Sequence, residues 1–186
     1  MESPQIELDK AMEKLLKELK KAGKDQNTLI VMSADYYPYV LPDKVYDELT
    51  GHKFEKNFEK YKNCFIIYSP TIKEPIMVDK LGSSLDILPT LSNLMDIEYD
   101  SCLLMGKDIF SEHESLVIFK DHSFMTERVK YNSVTDKATW INGYEEDKEY
   151  LKNMIKIVQQ KFKYSTLILE KDYYKYIKYD NSEYGT

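Results

Sequence analysis

Asp35 sits in the segment Val31-Met-Ser-Ala-Asp-Tyr-Tyr-Pro-Tyr39, where an apolar run ends and a proline-containing loop begins. The run over 28–32, Thr-Leu-Ile-Val-Met, is short, β-branched and preceded by a turn-prone Asn27, so it reads as a buried strand. A carboxylate at the point where such a strand meets its following loop is where open α/β sheets place ligand chemistry. Its oxygens suit Mn²⁺, Mg²⁺ or Zn²⁺. The plainer reading is an aspartate capping the loop after a strand. Tyr36 follows, and a phenol with an unperturbed pKa of about 10 must lose its proton before it can help hold an ion.

The three histidines are the other natural ligand candidates, and each has a local explanation. His52 lies in Thr50-Gly-His52, His113 in Ser111-Glu-His-Glu114, and His122 in Asp121-His-Ser123. No two have the i, i+4 spacing of a helical metal site, so solvated or turn roles are expected. Asp121, His122 and Ser123 are the residue types of a nucleophilic triad, but a triad converges in space rather than in sequence. Turn chemistry accounts for them more simply, and Asp108 beside Lys107 is an equally weak signal. Cys64 and Cys102 have no CxxC spacing and are expected to be unpaired.

Composition excludes some classes. Apolar residues at 42% and charged residues at 31% are those of an ordinary globular domain. A net charge of -6 leaves no broad basic face, so no nucleic acid is expected as a partner. No segment approaches the roughly 20 apolar residues of a membrane span, and the first residues lack the basic-then-apolar order of a signal peptide. Sixteen tyrosines are read as surface and core packing, with an aromatic carbohydrate platform as the alternative. The stretch Tyr173-Tyr-Lys-Tyr-Ile-Lys-Tyr179 suits either helix-face packing or a membrane interface.

The elements that must position Asp35 follow from periodicity. Ser3-Pro4 starts a helix, Met12, Leu15, Leu16 and Leu19 give it one apolar face, and Gly23 ends it. Residues 41–60 predict one or two short surface helices, and 64–68 a strand buried on both faces and ended by Pro70. Ser83 and Asp86 form a capping pair before a helix whose Leu88, Leu91, Leu94 and Met95 make the buried stripe. The strands at 29–32 and 65–68 are expected to be parallel neighbours covered by these helices. The runs 115–120, 123–127, 130–134 and 138–142 predict an antiparallel meander, and Leu151, Met154, Ile155, Val158 and Phe162 a long amphipathic helix, with a second piece over 167–176.

Several segments carry a family resemblance, in a fixed order along most of the chain. Besides 31–39 they are Tyr61-Lys-Asn-Cys-Phe-Ile-Ile-Tyr-Ser-Pro70, Asp79-Lys-Leu-Gly-Ser-Ser-Leu-Asp-Ile-Leu-Pro-Thr-Leu-Ser-Asn-Leu94, Leu104-Met-Gly-Lys-Asp-Ile-Phe110 and Val117-Ile-Phe-Lys-Asp-His-Ser-Phe-Met-Thr126. They resemble the C-terminal half of the catalytic domain of lipoteichoic acid synthases and related sulfatase-like proteins of the alkaline phosphatase superfamily. There the turn reads Gly/Ala-Asp-His-Tyr-Pro-Tyr and its Asp-His pair binds a catalytic divalent cation. Here Tyr36 stands at the histidine position.

The resemblance implies an α/β fold, a partial doubly wound α/β/α sandwich with a small antiparallel β meander and a C-terminal helix. Within one domain spanning 1–186, it implies an α/β portion at 1–112, the meander at 113–143 and the helical segment at 146–180. Asp35 is the single implied metal ligand and no catalytic residue is implied, since the family's threonine nucleophile, glutamate ligand and substrate-pocket histidine and arginine belong to the preceding half. Mn²⁺ or another divalent cation is expected in the complete enzyme and none on this chain alone. The implied substrates are phosphatidylglycerol and polyglycerolphosphate, at the extracellular face of a bacterial membrane. The implied partner is the missing N-terminal half, or a second copy. Two functions remain open: part of a metal-dependent phosphoglycerol transferase, inactive alone, or a non-catalytic scaffold that binds glycerophosphate polymer or a partner protein.

Overall fold

A computed structural model of the chain describes residues 2–34 and 41–177. The chain forms two compact units, Met1–Met77 and Val78–Thr186.

The first unit opens with α1, Glu2–Lys21. Its end is set by Gly23, at φ +66, whose N–H bonds Lys20 O while the Lys24 N–H bonds Leu19 O. These two bonds satisfy the last free carbonyls of the helix, and the left-handed residue they require is glycine at little steric cost. Strand β1, Ile30–Ser33, follows, then α2, Asp43–Thr50, and β2, Phe65–Tyr68. The two strands are neighbours, as the sequence predicts, but they are antiparallel, with Ile30 opposite Tyr68 and Ser33 opposite Phe65. A four-residue apolar run has no intrinsic direction, so pattern alone does not distinguish the two pairings.

Nor is β2 buried on both faces. Val31 and Ile66, on opposite faces of the pair, are 37% and 46% exposed. Among its described residues the first unit has no fully buried side chain.

The second unit holds the hydrophobic core. Ser83 and Asp86 cap a short 3₁₀ turn that leads into α3, Ile87–Leu94. Strands β3, Val117–Ile118, β4, Phe124–Met125, β5, Val129–Asn132, and β6, Lys137–Trp140, form the expected meander, each antiparallel to the next. Period-two alternation turns Val129 and Tyr131 inward, and the register sets large against small, with Tyr131 opposite Ala138. Helix α4, Lys148–Glu170, lays the expected stripe on this sheet: Met154 and Val158 join Phe124, Val129 and Tyr131, flanked by Leu151, Ile155 and Phe162. The mixed helix-and-sheet architecture, with two small antiparallel sheets, is consistent with the partial α/β fold that the resemblance implies.

The α3 stripe is a correction. Leu88, Leu94 and Met95 are exposed, and the buried residues are Pro89, Thr90 and Ser92. Thr90 and Asp86 bond the loop that follows, which turns the polar face of the helix inward. Among the described residues no helix is long and apolar enough to cross a membrane.

Candidate functional site

The root of the expected metal turn is held from β2. Asn63 Nδ2 donates to the Ala34 carbonyl at 3.3 Å, and Asn63 Oδ1 accepts from the Cys64 N–H at 3.1 Å. Antiparallel pairing brings this about, because it sets the end of β1 beside the start of β2. Asp35 and Tyr36 themselves lie outside the described residues. A cleft of about 290 Å³, lined by Leu16, Leu19, Thr28, Ile30, Tyr68 and Pro70, opens at the other end of the strand pair.

The histidines have local partners. His52 Nε2 meets Glu59 Oε1 at 2.7 Å and its Nδ1 meets Thr50 O at 3.1 Å. His122, at φ +67, stacks on Phe162 with ring centroids 3.9 Å apart. Asp121 Oδ1 accepts the Ser123 N–H at 3.0 Å, which is a turn bond, and the imidazole packs on Phe162 instead of activating the serine. His113 Nδ1 lies 2.9 Å from Ser111 Oγ, and burial, then the charges of Lys80 and Lys107, hold its pKa below the ordinary histidine value.

Asp108 is structural, its two oxygens accepting from Asn93 Nδ2 at 2.8 Å and from the Phe110 N–H at 3.0 Å. Both cysteines are free and exposed, so Cys64 precedes the strand rather than pointing from its interior. Among the described residues no three His, Cys, Asp or Glu side chains are grouped to hold a metal ion. The described residues therefore do not fit a divalent-ion site by themselves.

Sequence reading missed how the loop over 105–113 is held, because the bonds that tie it to the rest of the unit are long-range. Asp86 Oδ1 accepts the Lys107 N–H at 2.8 Å, and Thr90 Oγ1 accepts the Ile109 N–H at 3.0 Å while donating to Asp86 O. Lys80 Nζ donates to Ser111 O at 2.6 Å, and Lys161 Nζ, from α4, to Met105 O at 2.9 Å. A second network joins the meander to α4: Tyr150 Oη bonds Glu114 Oε1 at 2.6 Å and Thr126 Oγ1 at 2.8 Å, and Arg128 Nε lies 3.1 Å from the same carboxylate oxygen. Burial, then the Glu114 bond, pushes the Tyr150 phenol up to about 12.

The Sulfatase family model matches residues 6–97, the stretch that contains the Asp35 turn, both strands of the first unit and α3. This match and the similarity to lipoteichoic acid synthases support a sulfatase-like, lipoteichoic acid synthase-like domain. It is 28% identical over 180 residues to Lipoteichoic acid synthase 1 of Bacillus subtilis (strain 168), covering 92% of this chain and 27% of that protein. To the Lipoteichoic acid synthase of Staphylococcus aureus (strain USA300) it is 29% identical over 128 residues, 67% of this chain and 20% of that one. The chain thus spans about a quarter of the length of the first relative and a fifth of the second.

Proposed function

We propose that this chain supplies part of a metal-dependent phosphoglycerol transferase of the bacterial cell envelope, acting at the outer face of the membrane, and that it has no turnover by itself. The observation that carries the reading is Asp35, two positions past the end of β1 in the sequence and inside the stretch that matches the Sulfatase family. The family's Mn²⁺ or related ion would supply Lewis acidity; from this chain Asp35 is the ligand the resemblance offers. One carboxylate leaves an ion held mostly by water, so binding is no tighter than at any surface carboxylate. The donor and product of such an enzyme are phosphatidylglycerol and polyglycerolphosphate.

Covering the first unit is part of this reading. Both faces of the β1–β2 pair are partly exposed, and a parent sheet, or failing that a second copy of the chain, would cover them. Tyr36 favours a second reading, a non-catalytic scaffold for glycerophosphate polymer or a partner protein, because a phenol is a poor replacement for imidazole at neutral pH.

Isothermal titration with Mn²⁺ tests the proposal. The expected result is no stoichiometric binding, and none after Tyr36→His. A one-to-one micromolar isotherm abolished by Asp35→Ala would overturn it.

A further inference from the structure

The loop over 105–113 gathers four basic side chains from three separate parts of the second unit. Lys107 and His113 belong to the loop, Lys80 reaches Ser111 O from the segment before the capped turn, and Lys161 reaches Met105 O from α4. Among the described residues none of the four is ion-paired with a carboxylate. An ammonium carries three donors. Lys80 and Lys161 each spend one on a backbone carbonyl, and the exposed Lys107 side chain spends none on the described residues.

The acids nearby are committed elsewhere. Asp86, which faces both His113 and Lys161, directs Oδ2 to the N–H and hydroxyl of Ser83 and Oδ1 to the Lys107 N–H. Asp108 is engaged by Asn93 and Phe110, and Glu112 is exposed to solvent. These charges act on one another: burial and then Lys107 lower the Lys161 pKa, burial and then Lys80 and Lys107 lower that of His113, and Asp86 opposes the shift at both. Three compact ammonium groups with donors to spare, one on the loop and two bonded to its carbonyls at Met105 and Ser111, match the acceptor oxygens of a phosphate group.

We propose that Lys80, Lys107 and Lys161, with His113 at the margin, form a binding subsite for a phosphate-bearing anion. Assigning the phosphate to a phosphodiester of a glycerophosphate polymer rests on the function proposed above; the preference for phosphate does not. The subsite holds ligand and does no bond-making.

An NMR titration of the intact chain at low ionic strength and neutral pH tests this, using inorganic phosphate, a glycerophosphate diester, and chloride at matched ionic strength. Saturable shifts confined to the 105–113 amides, and a rise in the His113 pKa on binding, are expected with both phosphates and not with chloride. Lys107→Ala, at an exposed position, is expected to weaken binding about tenfold, the scale of one charge-assisted hydrogen bond. Lys152→Ala, exposed on α4, should leave it unchanged.

Tighter binding of the diester assigns the polymer as ligand; tighter binding of inorganic phosphate assigns the free anion to the same subsite. Linear, chloride-like shifts, or a Lys107→Ala variant that binds like the parent, would overturn the proposal. Because the readout is confined to this loop, it stands or falls separately from the Mn²⁺ titration.

Discussion

A side-chain carbon placed on Gly106 would lie 2.0 Å from the Leu85 carbonyl oxygen. Backbone meets backbone there, and that closeness lets the 105–113 loop reach Asp86 and Thr90 with its own N–H groups. Gly106→Ala should cost roughly 2–3 kcal/mol, since neither chain segment can yield without breaking those bonds. Gly82→Ala is the comparison, because its clash is with the terminal methyl of Ile109, which can rotate aside. Urea midpoints of the two variants should differ, with Gly106→Ala the lower.

Thr90 is fully buried and is the acceptor for the Ile109 N–H. Thr90→Val keeps the shape and removes that acceptor, leaving a donor without a partner at a cost of roughly 1–3 kcal/mol. Thr90→Ser restores the bond and should recover most of the loss in the same denaturation series.

Tyr150 makes the alkaline limb of stability informative. Its folded pKa of about 12 lies above the ordinary 10, so its contribution is fully present below pH 10 and is lost as pH rises from 10 towards 12. Tyr150→Phe should lower stability at neutral pH by about 1–2 kcal/mol and flatten the alkaline decline. Thermal melts across that range, with absorbance titration of the phenol, check both effects.

His113 acts at the acid end with the opposite sense. Its folded pKa is lowered, so the unfolded chain takes up the proton first and stability falls as pH drops through the histidine range. His113→Gln should remove that part of the slope and leave the rest of the acid limb, which chemical denaturation at stepped pH would reveal.

The exposed strand pair predicts association. Val31→Lys with Ile66→Lys places charge on both faces of it and should reduce any concentration-dependent mass seen by light scattering. A chain that is monomeric at high concentration, with or without these changes, would count against a sheet that needs covering.

What the sequence made legible were the elements whose signals are local. The α1 stripe with its Gly23 stop, the Ser83 and Asp86 cap, and the Leu151 to Phe162 stripe on α4 all depend on residues within a few turns of one another. Direction and facing were harder to read. Nothing in Ile30–Ser33 or Phe65–Tyr68 specifies which way they pair, and the leucines of α3 give a clean apolar face that long-range bonds to Thr90 and Asp86 override. The lysine cluster was invisible for the same reason, since Lys80 and Lys161 lie 31 and 56 positions from the carbonyls they bond. Asp35 and Tyr36 fall outside the described residues, so the turn rests on its sequence and on the Asn63 clamp at its root.

The unequal burial of the two units has a calorimetric consequence. Heat is absorbed on melting where packed apolar surface and shielded hydrogen bonds are lost, and here the fully buried side chains belong to Val78–Thr186. The enthalpy per residue of the isolated chain should therefore fall short of that of a globular domain of its length. Amide hydrogens of β1 and β2 should exchange well before those of β5, and a stabilising mutation in the first unit should leave the melting temperature almost where it was.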